Sequence, residues 1–338
     1  MLIDKSRTYN FQLTALWAFV EVTLGGMLHA LRIPLTGVVV GGTAVAILCI
    51  MGRYSKNPWR DIMNATGLVL LVKAGASPHS PPPAYIAVAF QGFLGAVTFQ
   101  FFRFSRLAVV LFAFLAMLES AFQKLILMTL LYGKSLWTAI DVFVESVLES
   151  FRISAETSGS DGLIAIYVGI YAIWGLYLGI RMSNFDVRAQ KYIQIWNQKN
   201  RLSVDSNAAG AWRTPRNRNL FWLVYLAIIL VMSLILITLG DDKYDLFYVV
   251  FRSMSAIFLV FWVINPLFSY WVRKKSKSTT LKYQIQEISN QFAFFQHDYY
   301  TALKIVGGYS WNAFRFFKAM ELLIAVTMQR ENEIIDNE

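Results

Sequence analysis

One cysteine in 338 residues, Cys49, excludes an intrachain disulfide, and its position inside an apolar run marks it as a small core residue. Histidine is nearly as scarce. His29, His79 and His297 fall in three separate stretches, which argues against a shared catalytic or metal centre built on imidazole. Charged residues make up only 15% of the chain, against about 25% in a soluble domain. No glycine-rich loop ending in GK(S/T) is present, so nucleotide hydrolysis by that route is excluded. Neither a GxSxG elbow nor an HExxH helix occurs. The chain is therefore expected to bind no cofactor and no metal and not to be an enzyme. One catalytic reading stays open, an intramembrane transferase using Glu21 and His29 as acid and base.

What the chain has is apolar surface. Hydrophobic residues are 56% of the total and the mean hydropathy is +0.47. Apolar runs recur over 11–31, 34–52, 62–75, 84–102, 107–131, 162–181, 220–240 and 246–272, judged against the ~20 residues that cross a bilayer. The expected fold is all-α, a polytopic integral membrane helix bundle of about eight membrane segments. The net charge of +10 does not point to nucleic acid, because the basic residues cluster between the apolar runs. Lys5 and Arg7 precede the first run, Arg53, Lys56 and Arg60 follow the second, and Arg103 and Arg106 follow the fourth. A basic loop at 182–219 follows the sixth, and Arg273, Lys274, Lys275 and Lys277 follow the eighth. With eight crossings and both termini cytoplasmic, all of these lie inside. The opposite loops, GASPHSPPP, SAETSGSD and GDDKYD, are poor in positive charge. The first run is as long as a full span and lacks a small-residue cleavage site, so it is expected to be a retained helix. Segment 62–75 is short and carries Asn64 and Lys73, which suggests a re-entrant or broken helix shielded by protein.

Three regions follow: an N-terminal membrane bundle over 1–150, three further spans over 151–275, and a cytoplasmic tail over 276–338. Within 136–150, Asp141, Glu145 and Glu149 are four residues apart and form one acidic stripe. That segment is read as an amphipathic helix on the outer surface with a solvated face. The tail carries two amphipathic stretches, 281–295 and 311–328, expected to lie along the cytoplasmic surface or to dock on a partner.

Ionisable groups inside spans cost several kcal/mol unless paired or wet, so each is a candidate site residue. The set is Glu21, His29, Lys73 and Glu119, with Lys124 and Arg252 closer to span ends, where they can snorkel. Glu21 and His29 are eight residues apart and share a helix face. Gly25 and Gly26 between them allow a ligand or another backbone to approach. Glu119 is the expected partner for Lys73; a structural pair and a substrate contact are equal readings. Gly37 with Gly41 and Gly175 with Gly179 form GxxxG pairs that bring helices together. Arg213, Arg216 and Arg218 in the basic loop and Arg315 and Lys318 on the tail are the candidate partner-docking residues.

The stretch ALWAFVEVTLGGMLHALRIPLTGVVVGG at 15–42 resembles the substrate-capture (S) components of energy-coupling-factor transporters, in its glutamate on the first helix, its glycine pair, its short loop and its glycine-rich second helix. The resemblance covers residues 1–130. It implies a small-solute cavity on the outer side, a protein partner such as an ATPase module, and the prokaryotic cytoplasmic (inner) membrane. The chain is longer than such subunits, Met1-Leu2-Ile3 lacks the N-terminal histidine motif of nickel and cobalt members, and RAQ at 188–190 is the nearest approach to the Ala-Arg-Gly motif of the partner transmembrane component. The expected function is a membrane transport subunit that captures a small solute and is coupled to a partner protein. The alternative is a non-catalytic scaffold or assembly subunit of a larger envelope complex. Expected partners are membrane lipid and protein, not nucleic acid.

Overall fold

The structure, a computed structural model, describes residues 5–26, 28, 36–76, 80, 82–150, 159–200, 279–306 and 313–337. The runs at 220–240 and 246–272, and with them Arg252, lie outside these. So do His29, His79, Arg213, Arg216 and Arg218.

Among the described residues every regular element is helical. Helix α1 (Lys5–Val20) passes into a π-helical turn, Glu21–Gly25. A second π turn, Gly37–Gly41, leads into α2 (Gly42–Tyr54). Then come α3 (Pro58–Ala76), α4 (Pro82–Phe102), α5 (Arg106–Tyr132), α6 (Lys134–Ser150), α7 (Gly159–Ser183) and α8 (Phe185–Asn200). The C-terminal part adds α9 (Thr279–Asn290), α10 (Phe292–Val306) and α11 (Ala313–Asn337).

Local chemistry sets the ends. Asn57 caps α3 by accepting from Arg60 N, and Pro58 sits at the first helical position, where its missing N–H costs nothing. Ser105 caps α5 by accepting from Ala108 N at 3.2 Å. Gly133, with φ of 69°, turns the chain from α5 into α6. Asp141 of the acidic stripe accepts from Ser160 N at 2.7 Å and so caps α7 from a neighbouring helix.

Among the described residues four helices are long and apolar enough to cross a membrane: Gly37–Tyr54, Pro83–Phe102, Arg106–Tyr132 and Gly159–Ser183. They coincide with the runs at 34–52, 84–102, 107–131 and 162–181. Large apolar side chains on the last three face outward, among them Ile86, Leu107, Ile126 and Ile173. Segment 62–75 is not broken. It belongs to α3, a continuous helix of 19 residues, about 28 Å long at 1.5 Å per residue.

Three stretches are buried on every side: 13–21 of α1, 40–52 through α2, and 319–327 of α11. A helix that is apolar all round belongs in an interior, and these three are the centre of the bundle. That placement packs the second tail stretch against other helices of the chain. Phe317 stacks edge-on against Trp174 of α7 at 4.4 Å between ring centroids, and Phe292 and Phe295 of α10 meet Phe19 of α1. The second tail stretch is therefore an integral helix of the bundle. The reason is visible in AMELLIAVT, a continuous apolar run rather than a stripe, with one charge that finds a partner inside.

Gly175 and Gly179 let α7 lie against the backbone of α5. A Cβ on Gly179 would stand 2.6 Å from Val110 Cα, and one on Gly175 would stand 2.9 Å from Phe114 Cα. The rising neighbour numbers on α7 meet falling numbers on α5, so the two run antiparallel.

Candidate functional site

Hydrogen bonds define two polar ends of the bundle. At one end Asn10 donates to Asp61 at 3.1 Å and accepts from Ser55 at 3.2 Å, tying α1, α2 and α3 together. Arg53 pairs with Asp186, Tyr54 donates to the same carboxylate at 3.2 Å, and Arg106 donates to Asn184 at 3.0 Å. Lys56, Arg60, Arg103, Arg181 and Arg188 cluster in sequence with these groups, so the basic segments converge on one end.

Towards the other end lies a cavity of about 370 Å³. Glu21, Lys73, Gln91, Ser120, Gln123, Lys124 and Tyr171 supply its polar wall, and Leu28, Val40, Val88 and Leu127 are among its apolar lining. That is the composition and size of a small-molecule site, mostly apolar with a few convergent polar groups.

Lys73 Nζ donates to Glu21 Oε2 at 2.7 Å, with the two side chains 1% and 4% exposed. Lys73 also donates to the Ala84 carbonyl at 3.4 Å and lies 5.5 Å from the Tyr85 ring centroid. The partner of Lys73 is thus Glu21 of α1, not Glu119. Glu119 sits next to Ser120 on α5 but does not line the cavity, and its Oε2 is buried without a hydrogen-bond partner among the described residues.

The two π turns meet at this cavity. Glu21 and Gly25 belong to one, and Gly37, Val40 and Gly41 to the other. A π turn inserts an extra residue into a helix and recurs at functional sites because it re-aims side chains. Here Glu21, the first residue of one turn, meets Lys73. Gly37 leaves room for Tyr171, whose hydroxyl would lie 3.0 Å from a Cβ there, and Gly41 does the same for Gln91, at 3.1 Å. Gln91 donates to Ser120 at 3.2 Å and Gln123 donates to the Pro83 carbonyl at 2.9 Å. Gly25 stands beside Glu21, its hypothetical Cβ 3.6 Å from Oε2; Gly26 follows at the end of the turn.

The structure therefore brings together Glu21, Lys73, Gly25, Gly37 and Gly41. It places Gly175 and Gly179 in the α5–α7 contact. Arg315 and Lys318 are exposed on α11. Sequence reasoning missed Gln91, Ser120, Gln123 and Tyr171 as wall residues. Gln91 carried a signal, a lone amide inside the apolar stretch AYIAVAFQGFLGAV.

A second buried carboxylate lies near the basic end. Glu321 of α11 accepts from Arg181 Nε at 2.6 Å and Nη2 at 2.7 Å, and from the Tyr192 hydroxyl at 2.9 Å. Arg188 stands 3.6 Å away and donates to the Arg181 carbonyl. Burial, followed by the nearby Glu321 carboxylate, pushes the Tyr192 hydroxyl up to about 12. A bidentate arginine of this kind fixes orientation as well as contributing energy, and it locks α11 to α7 and α8.

Among the described residues no group of three or more histidine, cysteine, aspartate or glutamate side chains is placed to hold a metal ion. No family model, no curated protein and no solved structure matches this chain. What fold and site define is a class: a helical bundle with, among the described residues, four helices apolar enough to cross a membrane and a mostly apolar cavity with a few polar groups inside it.

Proposed function

We propose that the protein is a membrane transport subunit that captures a small solute in the cavity between the two π turns and works with a partner protein. The observation that carries this reading is the cavity itself, about 370 Å³ with a buried ion pair in its wall. A buried pair is a poor device for stability alone, since well-packed apolar residues of similar volume do as well or better by about 1–4 kcal/mol. Retaining Glu21 and Lys73 at a cavity wall supports a role towards a ligand. In this reading the chain crosses the membrane about eight times with both termini cytoplasmic. The basic end faces the cytoplasm and the cavity lies towards the outside. The resemblance to substrate-capture components then accounts for an outward cavity, an ATPase-type partner and a prokaryotic inner-membrane location, with Arg213, Arg216, Arg218, Arg315 and Lys318 meeting the partner.

One observation favours the second reading, a non-catalytic scaffold in a larger envelope complex: at 2.7 Å Glu21 and Lys73 satisfy each other without a ligand. Purification from native membranes in mild detergent, with mass spectrometry of proteins and small molecules, separates the two. A bound small solute or an ATPase partner supports capture, and Glu21→Gln then weakens solute retention. A large complex with neither solute nor ATPase overturns capture in favour of scaffolding.

A further inference from the structure

We infer that the ligand of this cavity is a small organic anion, a carboxylate held by the Lys124 ammonium. The inference rests on the capture reading and adds the ligand's charge. Among the described residues three charged side chains line the cavity: Glu21, Lys73 and Lys124. Glu21 and Lys73 cancel at 2.7 Å. Lys124 has no ion-pair partner among the described residues, and the neighbouring acid Glu119 is not part of the wall. The described part of the wall thus carries one uncompensated positive charge.

The neutral groups fit the same ligand. Gln91, Gln123, Ser120 and Tyr171 supply amide and hydroxyl groups around the space, and the apolar side chains Leu28, Val40, Val88 and Leu127 suit a hydrocarbon body. An amine would bring a second cation to a wall whose described residues already hold an excess one. The volume of about 370 Å³ is that of a site for a small organic molecule. Lys124 lies on an exposed part of α5, so its ammonium reaches the mouth of the cavity while its stem stays on the helix.

The test uses the full-length purified protein in lipid nanodiscs and matched probes: glutarate and benzoate, the amines cadaverine and benzylamine, and the neutral amides glutaramide and benzamide. Binding is read by thermal shift and by isothermal calorimetry, in nanodiscs of phosphatidylcholine alone and with phosphatidylglycerol. The expected result is binding of a carboxylate in both lipids, weakened about tenfold by Lys124→Gln, kept by Lys124→Arg, and lost in Lys124→Glu. Lys124 is exposed, so these variants keep the fold, which the unliganded melting temperature verifies. Binding of an amine or an amide in preference to the matched acid, unaffected by Lys124→Gln, overturns the anion inference and leaves capture standing. Stabilisation by phosphatidylglycerol alone overturns it in favour of a lipid headgroup. Binding of no probe of any class overturns this inference and leaves the solute-retention experiment to decide capture itself.

Discussion

Replacing Glu321 by glutamine tests whether the C-terminal helix is part of the bundle. The carboxylate is 3% exposed and takes both a forked arginine and a tyrosine hydroxyl. Glutamine keeps one acceptor oxygen and turns an amide donor towards the guanidinium, so Arg181 loses both its counter-charge and half of its fork. Breaking a buried pair by removing one partner costs about 3–5 kcal/mol. Arg181 retains 19% exposure, which places the loss near the low end, about 3 kcal/mol. At ~2 °C per kcal/mol for a chain of this size, the melting temperature falls by about 6 °C. Intrinsic tryptophan fluorescence during thermal unfolding in detergent reads this, because Trp174 and Trp196 lie close to α11. A double-mutant cycle with Arg181→Met isolates the pair, and the double variant is expected to lose less than the sum of the single ones. A shift within about 1 °C for Glu321→Gln, or strict additivity in the cycle, would refute an internal α11.

Other consequences can be measured in the same way. Lys73→Met leaves the Glu21 carboxylate buried without its cation and is expected to destabilise by about 3–5 kcal/mol, most of which returns when Glu21→Gln is added; a chemical-denaturation series checks both. Gly179→Ala forces α7 away from Val110 and is expected to cost about 1–3 kcal/mol, whereas Gly162→Ala, with open space at its Cβ, is neutral or stabilising by a few tenths to about 1 kcal/mol. Tyr192 is raised from 10.0 to about 12 in the fold, so the folded state holds this proton more tightly than the unfolded chain. Its contribution is complete below pH 10 and disappears as pH rises towards 12. Melting temperatures across that window are expected to fall, and Tyr192→Phe is expected to flatten the decline.

The parts of the fold legible in the sequence are those governed by local pattern. Runs such as 107–131 and 162–181 declare themselves by length and apolarity alone, and Gly175 and Gly179, one turn apart, mark a close helix contact without naming its partner. Burial in the bundle is less local. Lys73 and Asn64 made α3 look interrupted, because the sequence does not reveal that a glutamate 52 positions earlier neutralises the lysine. The same limit explains the choice of Glu119 as its partner. Helical periodicity tells which residues share a face, but not which faces of distant helices meet. The π turns are invisible for a related reason. Glu21–Gly25 and Gly37–Gly41 are ordinary helix-compatible sequence, and the extra residue in each turn is set by tertiary contacts around the cavity. AMELLIAVT held a usable signal, since its apolar residues cover every side of the helix and so belong to an interior.

The central claim is that the cavity holds a small solute. Its most direct test is native mass spectrometry of the purified full-length protein beside Ala87→Phe, which fills the cavity from its α4 wall. The account predicts a small-molecule adduct on the native protein and none on the variant, with the helical fold intact in both by circular dichroism. The same adduct on both proteins, or no adduct on either, would contradict it.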